Sequence, residues 1–544
     1  MRRRSLWLVS FPALMLLLLA ACGTAATPTP RATATPAATP TPSGPTGELR
    51  VTMGSFSVEQ WDPTRAPVGE NSHNMMPPIF DFLVGANPDA TLAPGIAERW
   101  EMAPDGLAWT FYLRRNVKFH NGDPVTAKDV KFSLERMTDP KATATFGASL
   151  RATLKSADVI DDYTVRLVTN FADPYLPLLL SPLQAGLGYV MPKDYIEKQG
   201  LDNFLQRPVG SGPFKFVRHV KGDRVEYEAL DQHWRKVPAF RNLVEMMVPE
   251  PGTQVAMLRG GQADIIELPA ERAAEVESAG LKVARVPSVM QIGLVGFSVD
   301  LPEAGPLSNL KVREALSLAI NRDDIIKFVM GGAGRPSLPF WQGFTYSLDM
   351  NRGDWQPLAY DPARAKQLLQ EAGLGQGFKT KIYSYPLSQA PYLPKMAEAI
   401  QSMWQQVGVT TTIEPLDFGA VLPRIIQKPQ PKEIVGTWGV WRSPTKYNPP
   451  PGFDAFYGEK AQVRTFANPE LQKLISGMAK ELDATKRQAM VRDAAKMIRD
   501  NYGALAIADA DGVYGMGKKV GGWTPVSGHP FIGILLETVT RAQP

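Results

Sequence analysis

Between Gly23 and Gly47 the chain is built almost wholly from Thr, Pro, Ala, Ser and Gly, with no aromatic and no branched aliphatic side chain. Such a segment has nothing to bury and cannot form a core. Its prolines, Pro28, Pro30, Pro36, Pro40, Pro42 and Pro45, favour extended polyproline-like backbone, so about 25 residues at ~3.1 Å each would reach roughly 80 Å. The tract reads as a tether, which puts the folded structure beyond it. That remainder makes up most of the chain. The whole has 544 residues, 44% of them hydrophobic and 21% charged, enough for at least two hydrophobic cores and for three lobes.

Ahead of the tether, Arg2, Arg3 and Arg4 precede an apolar run from Leu6 to Leu19 and the small residues Ala20 and Ala21. This is the pattern of a secretory signal peptide, expected over residues 1–21. The run is short and is interrupted by Ser10 and Pro12, so it falls short of a span of about 20 apolar residues. The cleavage region Leu19-Ala20-Ala21-Cys22-Gly23 resembles the lipobox of bacterial lipoproteins. That resemblance implies lipidation at Cys22, with 22–47 a lipid-anchored linker; two acyl chains suffice for stable anchoring.

Cys22 is the single cysteine, which excludes an internal disulfide framework, and with five scattered histidines a Cys/His zinc site is not expected. Removing the three signal arginines from the formal +5 leaves +2, no general field for polyanions, so nucleic acid is not an expected partner. The chain carries no P-loop, no G-x-S-x-G and no H-E-x-x-H. No cofactor, metal or enzyme activity is expected.

Folded sequence starts near Glu48, where Leu49 to Met53 alternate as a half-buried strand does. Trp109, Phe111 and Leu113 alternate with polar or amphipathic neighbours in a second strand. After the turn Asn121-Gly122-Asp123, Thr126 and Asp129 form a capping-box-like pair ahead of a helix with Val130, Leu134 and Met137 on its apolar face. Further strands are expected at Thr164 to Val168, Phe214 to Val217 and Val225 to Ala229. Beyond Asp300, helices and strands alternate: a helix capped by Asn309, a helix opened by Asp361-Pro362 and closed at Gly373, a strand from Lys379 to Tyr383, a helix bearing Met396, Ile400, Met403, Trp404 and Val407 that stops at Gly408, and a strand from Val409 to Ile413. This order implies an α/β lobe with a mixed sheet.

The stretch Leu92-Ala93-Pro94-Gly95-Ile96-Ala97-Glu98-Arg99-Trp100, continued by Trp109 to Arg114, Val117 to Gly122 and Thr126 to Leu134, strongly resembles the signature of the family 5 extracellular solute-binding proteins, the peptide, nickel and opine receptors of bacterial ABC importers. Pro208 to Phe214, Leu258 to Asp264, Val312 to Arg322, Tyr360 to Gly373 and Ala397 to Gly408 resemble its further landmarks in the same order. The resemblance implies an α/β, periplasmic-binding-protein-like fold (class II, cluster C): two large lobes around a cleft and a small inserted lobe. It places lobe I at 48–90, 206–297 and 510–544, lobe II at 91–205 and lobe III at 298–509, with crossovers near Phe297 and Asp509 and hinge closure over the ligand. Trp100, Trp109, Phe119, His120, Gly122 and Gly210 read as structural.

Peptide receptors of the family carry a tryptophan, two small residues and an aspartate whose carboxylate pairs with the peptide ammonium. Here the corresponding stretch is Trp438-Gly439-Val440-Trp441-Arg442, with Trp441 where the aspartate would stand. The usual amine anchor is therefore absent or moved. Either Asp509 and Asp511 at the second hinge face the cleft, with solvated loop carboxylates as the plainer reading, or the ligand is not an amine and Trp438, Trp441 and Arg442 form one wall, the rings stacking on a planar body or sugar while Arg442 forks onto a carboxylate or phosphate. Phe56 and Ser57, after the first strand, match a cleft-lining position by location. The expectation is a monomeric, lipid-anchored binding protein at the outer face of a cell membrane or in the periplasm, passing a peptide or peptide-like solute to permease subunits. An oligosaccharide, opine or other non-peptide ligand, or a sensory role, stands as the alternative.

Overall fold

A computed structural model of the chain describes residues 44–56, 59–65, 72–144, 147–183, 187–341, 353, 355–386, 390–444, 449–529 and 532–543. The signal, Cys22 and most of the tether, as well as Ser57, lie outside the described residues. The strands in chain order are β1 (Glu48–Met53), β2 (Val84–Ala86), β3 (Leu92–Pro94), β4 (Ala97–Met102), β5 (Ala108–Leu113), β6 (Leu154–Asp161), β7 (Thr164–Thr169), β8 (Phe214–Val220), β9 (Arg224–Ala229), β10 (Asn242–Met247), β11 (Ile265–Glu267), β12 (Lys282–Gly296), β13 (Gly334–Pro336), β14 (Phe378–Ser384), β15 (Val409–Pro415), β16 (Trp438–Pro444), β17 (Ala504–Met516), β18 (Val520–Gly522) and β19 (Thr540–Arg541).

Most of them join one sheet, in the order β15-β14-β16-β12-β17-β11-β1-β10-β9-β8, with β13 added to β17. The long pair β12 and β17 runs through both halves of this sheet. Near β11, Lys282 to Val286 pair with Gly512 to Met516; near β16, Met290 to Val295 pair with Ala504 to Ala510. The register breaks between Val286 and Met290, where Ser288 takes a positive φ of 54°, a conformation a side chain adopts only under local constraint. The irregularity thus falls earlier in β12 than Phe297. Phe297 is instead bonded inside the β16 half, its amide donating to Thr437 O at 2.9 Å and its carbonyl accepting from Gly436 N at 2.8 Å.

A separate four-stranded antiparallel sheet, β4-β5-β7-β6, packs on the helix Ala127–Thr138 around its own core of Phe111, Leu113, Val130, Leu134, Val165 and Leu167. The expected helix start is present: Thr126 N donates to Asp129 Oδ2 at 2.8 Å. The signature residues serve this packing. Trp109 Nε1 donates to Asp173 O at 2.9 Å. His120 Nε2 lies 3.0 Å from Gly212 O, and burial holds its pKa down to about 4, so the ring is neutral at physiological pH. Gly210 has no room for a side chain, because a Cβ would fall 2.1 Å from Ile79 O.

In the β14–β16 half, Asn309 Oδ1 caps the helix Leu310–Leu318 by accepting from Lys311 N at 3.0 Å, and Asp361 Oδ1 caps Pro362–Glu371 by accepting from Arg364 N at 2.8 Å. The two arginines in the stretch Val312 to Arg322 bond backbone carbonyls. Arg313 donates to Leu307 O at 2.7 Å and Asn501 O at 2.8 Å; Arg322 donates to Ser317 O, Ile320 O and Ala506 O. Desolvation lowers both guanidinium pKa values to about 10.

Candidate functional site

Strand β16 sits between β12, antiparallel, and β14, parallel, with Trp438 opposite Gly296, Trp441 opposite Gly293 and Arg442 opposite Ile292. Alternate residues of a strand point to opposite faces. Trp438, Val440 and Arg442 therefore share one face, and Gly439, Trp441 and Ser443 the other. The single wall expected of Trp438, Trp441 and Arg442 does not form. Trp438 is 0% exposed and its ring lies 5.8 Å from that of Trp404, in the core beneath the helix Leu393–Gln405.

Trp441, 9% exposed, meets four other rings near edge-on: Phe418 at 5.6 Å, Phe456 at 5.9 Å, Tyr385 at 6.4 Å and Phe297 at 6.5 Å. Tyr385 follows β14 and Phe418 opens the helix Phe418–Ile426 after β15, so these rings come from the carboxyl ends of neighbouring strands, where open α/β sheets place their ligands. Trp341 joins the same face. A Cβ on Gly293 would fall 2.9 Å from its ring, so glycine opposite Trp441 is what lets the indole lie on the sheet.

Half-buried Arg442 emerges on the other face. Tyr392, preceding the helix Leu393–Gln405, has its phenol pKa raised chiefly by burial; Arg442 opposes the rise, while Asp511 and Glu271 add to it. Arg442, Asp511 and Glu271 thus each lie within electrostatic reach of Tyr392. Asp511 Oδ1 accepts from Ser288 N at 3.0 Å. Asp509 is 2% exposed and lies opposite Gln291; Ser337 Oγ donates to its Oδ1 at 2.6 Å, and Gln291 Nε2 donates to Ser337 Oγ at 2.6 Å. Neither aspartate is a solvated loop residue, since both belong to β17. Phe56 is buried in the core at the end of β1.

Sequence reasoning missed Tyr385, Phe418, Phe456, Trp341, Gln291 and Ser337. A signal was available for two of them, because Tyr385 and Phe418 stand just past strands that residue alternation marks. A pocket of about 370 Å³ lies elsewhere, lined by Phe82, Asn87, Arg114, Trp234, Arg235 and Leu535 among others. It touches neither β16 nor the register break, and the clustering of rings and hydrogen-bonding groups favours the β16 face as the functional site.

A sheet shared by two halves through one long strand pair, with aromatic and charged groups gathered at their junction, defines a two-lobed α/β binding protein of the periplasmic type. The sequence profile described as "Bacterial extracellular solute-binding proteins, family 5 Middle" matches residues 91–462, more than half of the chain, which belongs to that family. Among its curated relatives, the dipeptide-binding protein of Escherichia coli K12 is 28% identical over 88% of this chain and 93% of its own length. Heme-binding protein A of Haemophilus influenzae is 28% identical over 84% and 87% respectively. The solved structure of HbpA2 from Haemophilus parasuis superposes with a TM-score of 0.78 at 24% identity, covering 91% of this chain and 100% of that one. These relatives are binding proteins rather than enzymes.

Proposed function

We propose that the protein is an extracytoplasmic solute-binding lipoprotein of an ABC importer, which encloses a peptide or peptide-like solute between two lobes and delivers it to the permease. What carries this reading is the family match across 91–462 together with a dipeptide-binding relative aligned over 93% of its length. Lobes I, II and III take the boundaries expected from sequence, except that lobe I passes into lobe III at the register break at Ser288 rather than near Phe297. Closure then swings the β16 half against the β1 half about Ser288 and Asp511. Lipid on Cys22 and the tether of 22–47 hold the body near a membrane. A non-peptide solute is the second reading, favoured by Trp441 where an ammonium-binding aspartate would stand and by the heme-binding relative.

Native mass spectrometry of protein purified with its solute retained identifies the ligand. Returning that solute to the emptied protein should contract the particle in solution scattering, because closing a cleft shortens the radius of gyration. An unchanged profile at saturation overturns the hinge and the transport reading built on it. The variant Cys22→Ser should leave the membrane fraction or persist uncleaved; finding it membrane-bound at normal size removes the anchor.

A further inference from the structure

The face of the sheet that carries Trp441 holds two hydrogen-bond donors that the fold leaves without acceptors. Trp341 Nε1 and Tyr385 Oη are both buried, and neither has a partner among the described residues. They stand close to Trp441. Trp341 lies over Gly293, the residue opposite Trp441. Tyr385 Oη reaches over Gly439, where a Cβ would come within 3.2 Å of it. The rings form a continuous series: Trp341 to Phe456 at 6.0 Å, Phe456 to Trp441 at 5.9 Å, Trp441 to Tyr385 at 6.4 Å and Tyr385 to Phe418 at 4.9 Å.

A buried donor without an acceptor is costly, and an aromatic lining cannot supply one. A group that completes this site must therefore bring acceptor oxygens together with apolar surface. It must also lack positive charge. An ammonium has donors and no acceptor, so placed among these rings it would be desolvated and would leave the Trp341 N–H and the Tyr385 O–H unmet. Other buried donors lack partners too: Trp438 Nε1 is one, but it lies on the opposite face of β16, in the core. Among the described residues, it is at Trp441 that two such donors flank one ring series at the ends of the strands.

Resting on the solute-binding reading above, we propose that the Trp441 face receives an uncharged, acceptor-bearing apolar group, such as the acylated end of a blocked peptide, with Trp341 and Tyr385 donating to its carbonyl oxygens. A free ammonium is disfavoured there. The residue in the expected aspartate's place thus changes the class of group recognised.

The test is calorimetry on the full chain, emptied of co-purified solute, with N-acetyl-leucyl-phenylalanine and unblocked leucyl-phenylalanine as probes. The acetylated peptide should bind at least about tenfold more tightly, the order of a buried hydrogen bond to a matched acceptor. Tyr385→Phe should weaken the acetylated peptide about tenfold with the melting temperature kept. Trp341→Phe should act in the same direction, its melting temperature read alongside because the indole also packs on Phe456. Equal or tighter binding of the unblocked peptide, no binding of either peptide, or unchanged affinity in Tyr385→Phe, which would mean that water satisfies the hydroxyl, overturns the inference. The solute-binding reading is judged separately: the scattering experiment uses whatever solute co-purifies, so closure can stand while the peptide results fail.

Discussion

Two clusters of buried polar groups in this molecule are treated in opposite ways. Around Asp81 the fold supplies partners. Arg235 Nη1 donates to Asp81 at 2.9 Å, Trp234 Nε1 at 2.7 Å, and Arg235 Nε donates to Glu537 at 2.7 Å. Burial alone would raise the Asp81 pKa, but Arg235, His233 and Trp234 bring it down to about 2. This network ties three distant stretches of chain together. Around Trp441, by contrast, Trp341 and Tyr385 keep donors that no described residue meets. The first cluster is completed from within and fastens the fold, whereas the second leaves two donors that an occupant of the Trp441 face would meet.

A third buried group lies between these extremes. Tyr227 Oη is 2.7 Å from Glu245 Oε2 and 3.0 Å from Met75 O. A phenol has one proton and can donate to only one of them. Both contacts are satisfied if Glu245 is protonated, donating to Tyr227 while Tyr227 donates to Met75 O. Burial pushes the Glu245 pKa up to about 8, with the Tyr227 contact opposing the rise.

The largest expected effect falls on the completed cluster. Arg235→Ala removes the guanidinium shared by two buried carboxylates, leaving Asp81 only Trp234 and His233 among the described residues, and should cost about 4 kcal/mol in denaturant unfolding; a loss under about 1 kcal/mol would mean the network is not what fastens these segments. Glu245→Gln comes next. The folded-state pKa of Glu245 is raised, so its stabilising contribution is complete below the ordinary value of about 4.5 and is lost as pH rises through 8. Between those values wild-type stability should fall by about 1.4 kcal/mol per pH unit on this account, and Glu245→Gln should flatten that slope, gaining about 3 kcal/mol over wild type at pH 7. Parallel pH profiles for the two proteins would place the proton elsewhere.

Tyr385→Phe sharpens the contrast at the open cluster: solute affinity should drop about tenfold, or ~1.4 kcal/mol, while unfolding free energy changes by less than about 0.5 kcal/mol. The reverse pattern would make the hydroxyl structural and erase the difference between the clusters. Trp438→Phe should have the smallest effect on binding, leaving affinity unchanged while core packing loses about 1 kcal/mol. A binding defect at full stability would return Trp438 to the site.

Much of the architecture was legible because it is local. The alternation of Trp109, Phe111 and Leu113, the cap at Thr126, Asn309 and Asp361, and the stops at Gly373 and Gly408 each depend on neighbours a few residues away, and each stands in the fold as expected. The strands β12, β16 and β17 were harder to read. Their burial is nearly continuous through the centre of the sheet, so the polar alternation that betrays a half-exposed strand is missing. Without β16 as a strand, Trp438 and Trp441 could not be assigned to opposite faces.

The sequence by itself determined the family, the α/β class and the departure at Trp441, since these depend on residue order and on which side chain occupies a position. Only the tertiary structure decided what that departure means. Pleating sent Trp438 into the core, glycines at 293 and 439 let Trp341 and Tyr385 lie over the sheet, and pairing of β12 with β17 turned Asp509 and Asp511 into bonded strand residues at the register break. Each outcome depends on which distant backbone lies alongside, because strand pairing and side-chain contacts are made across space between residues that the linear order leaves far apart.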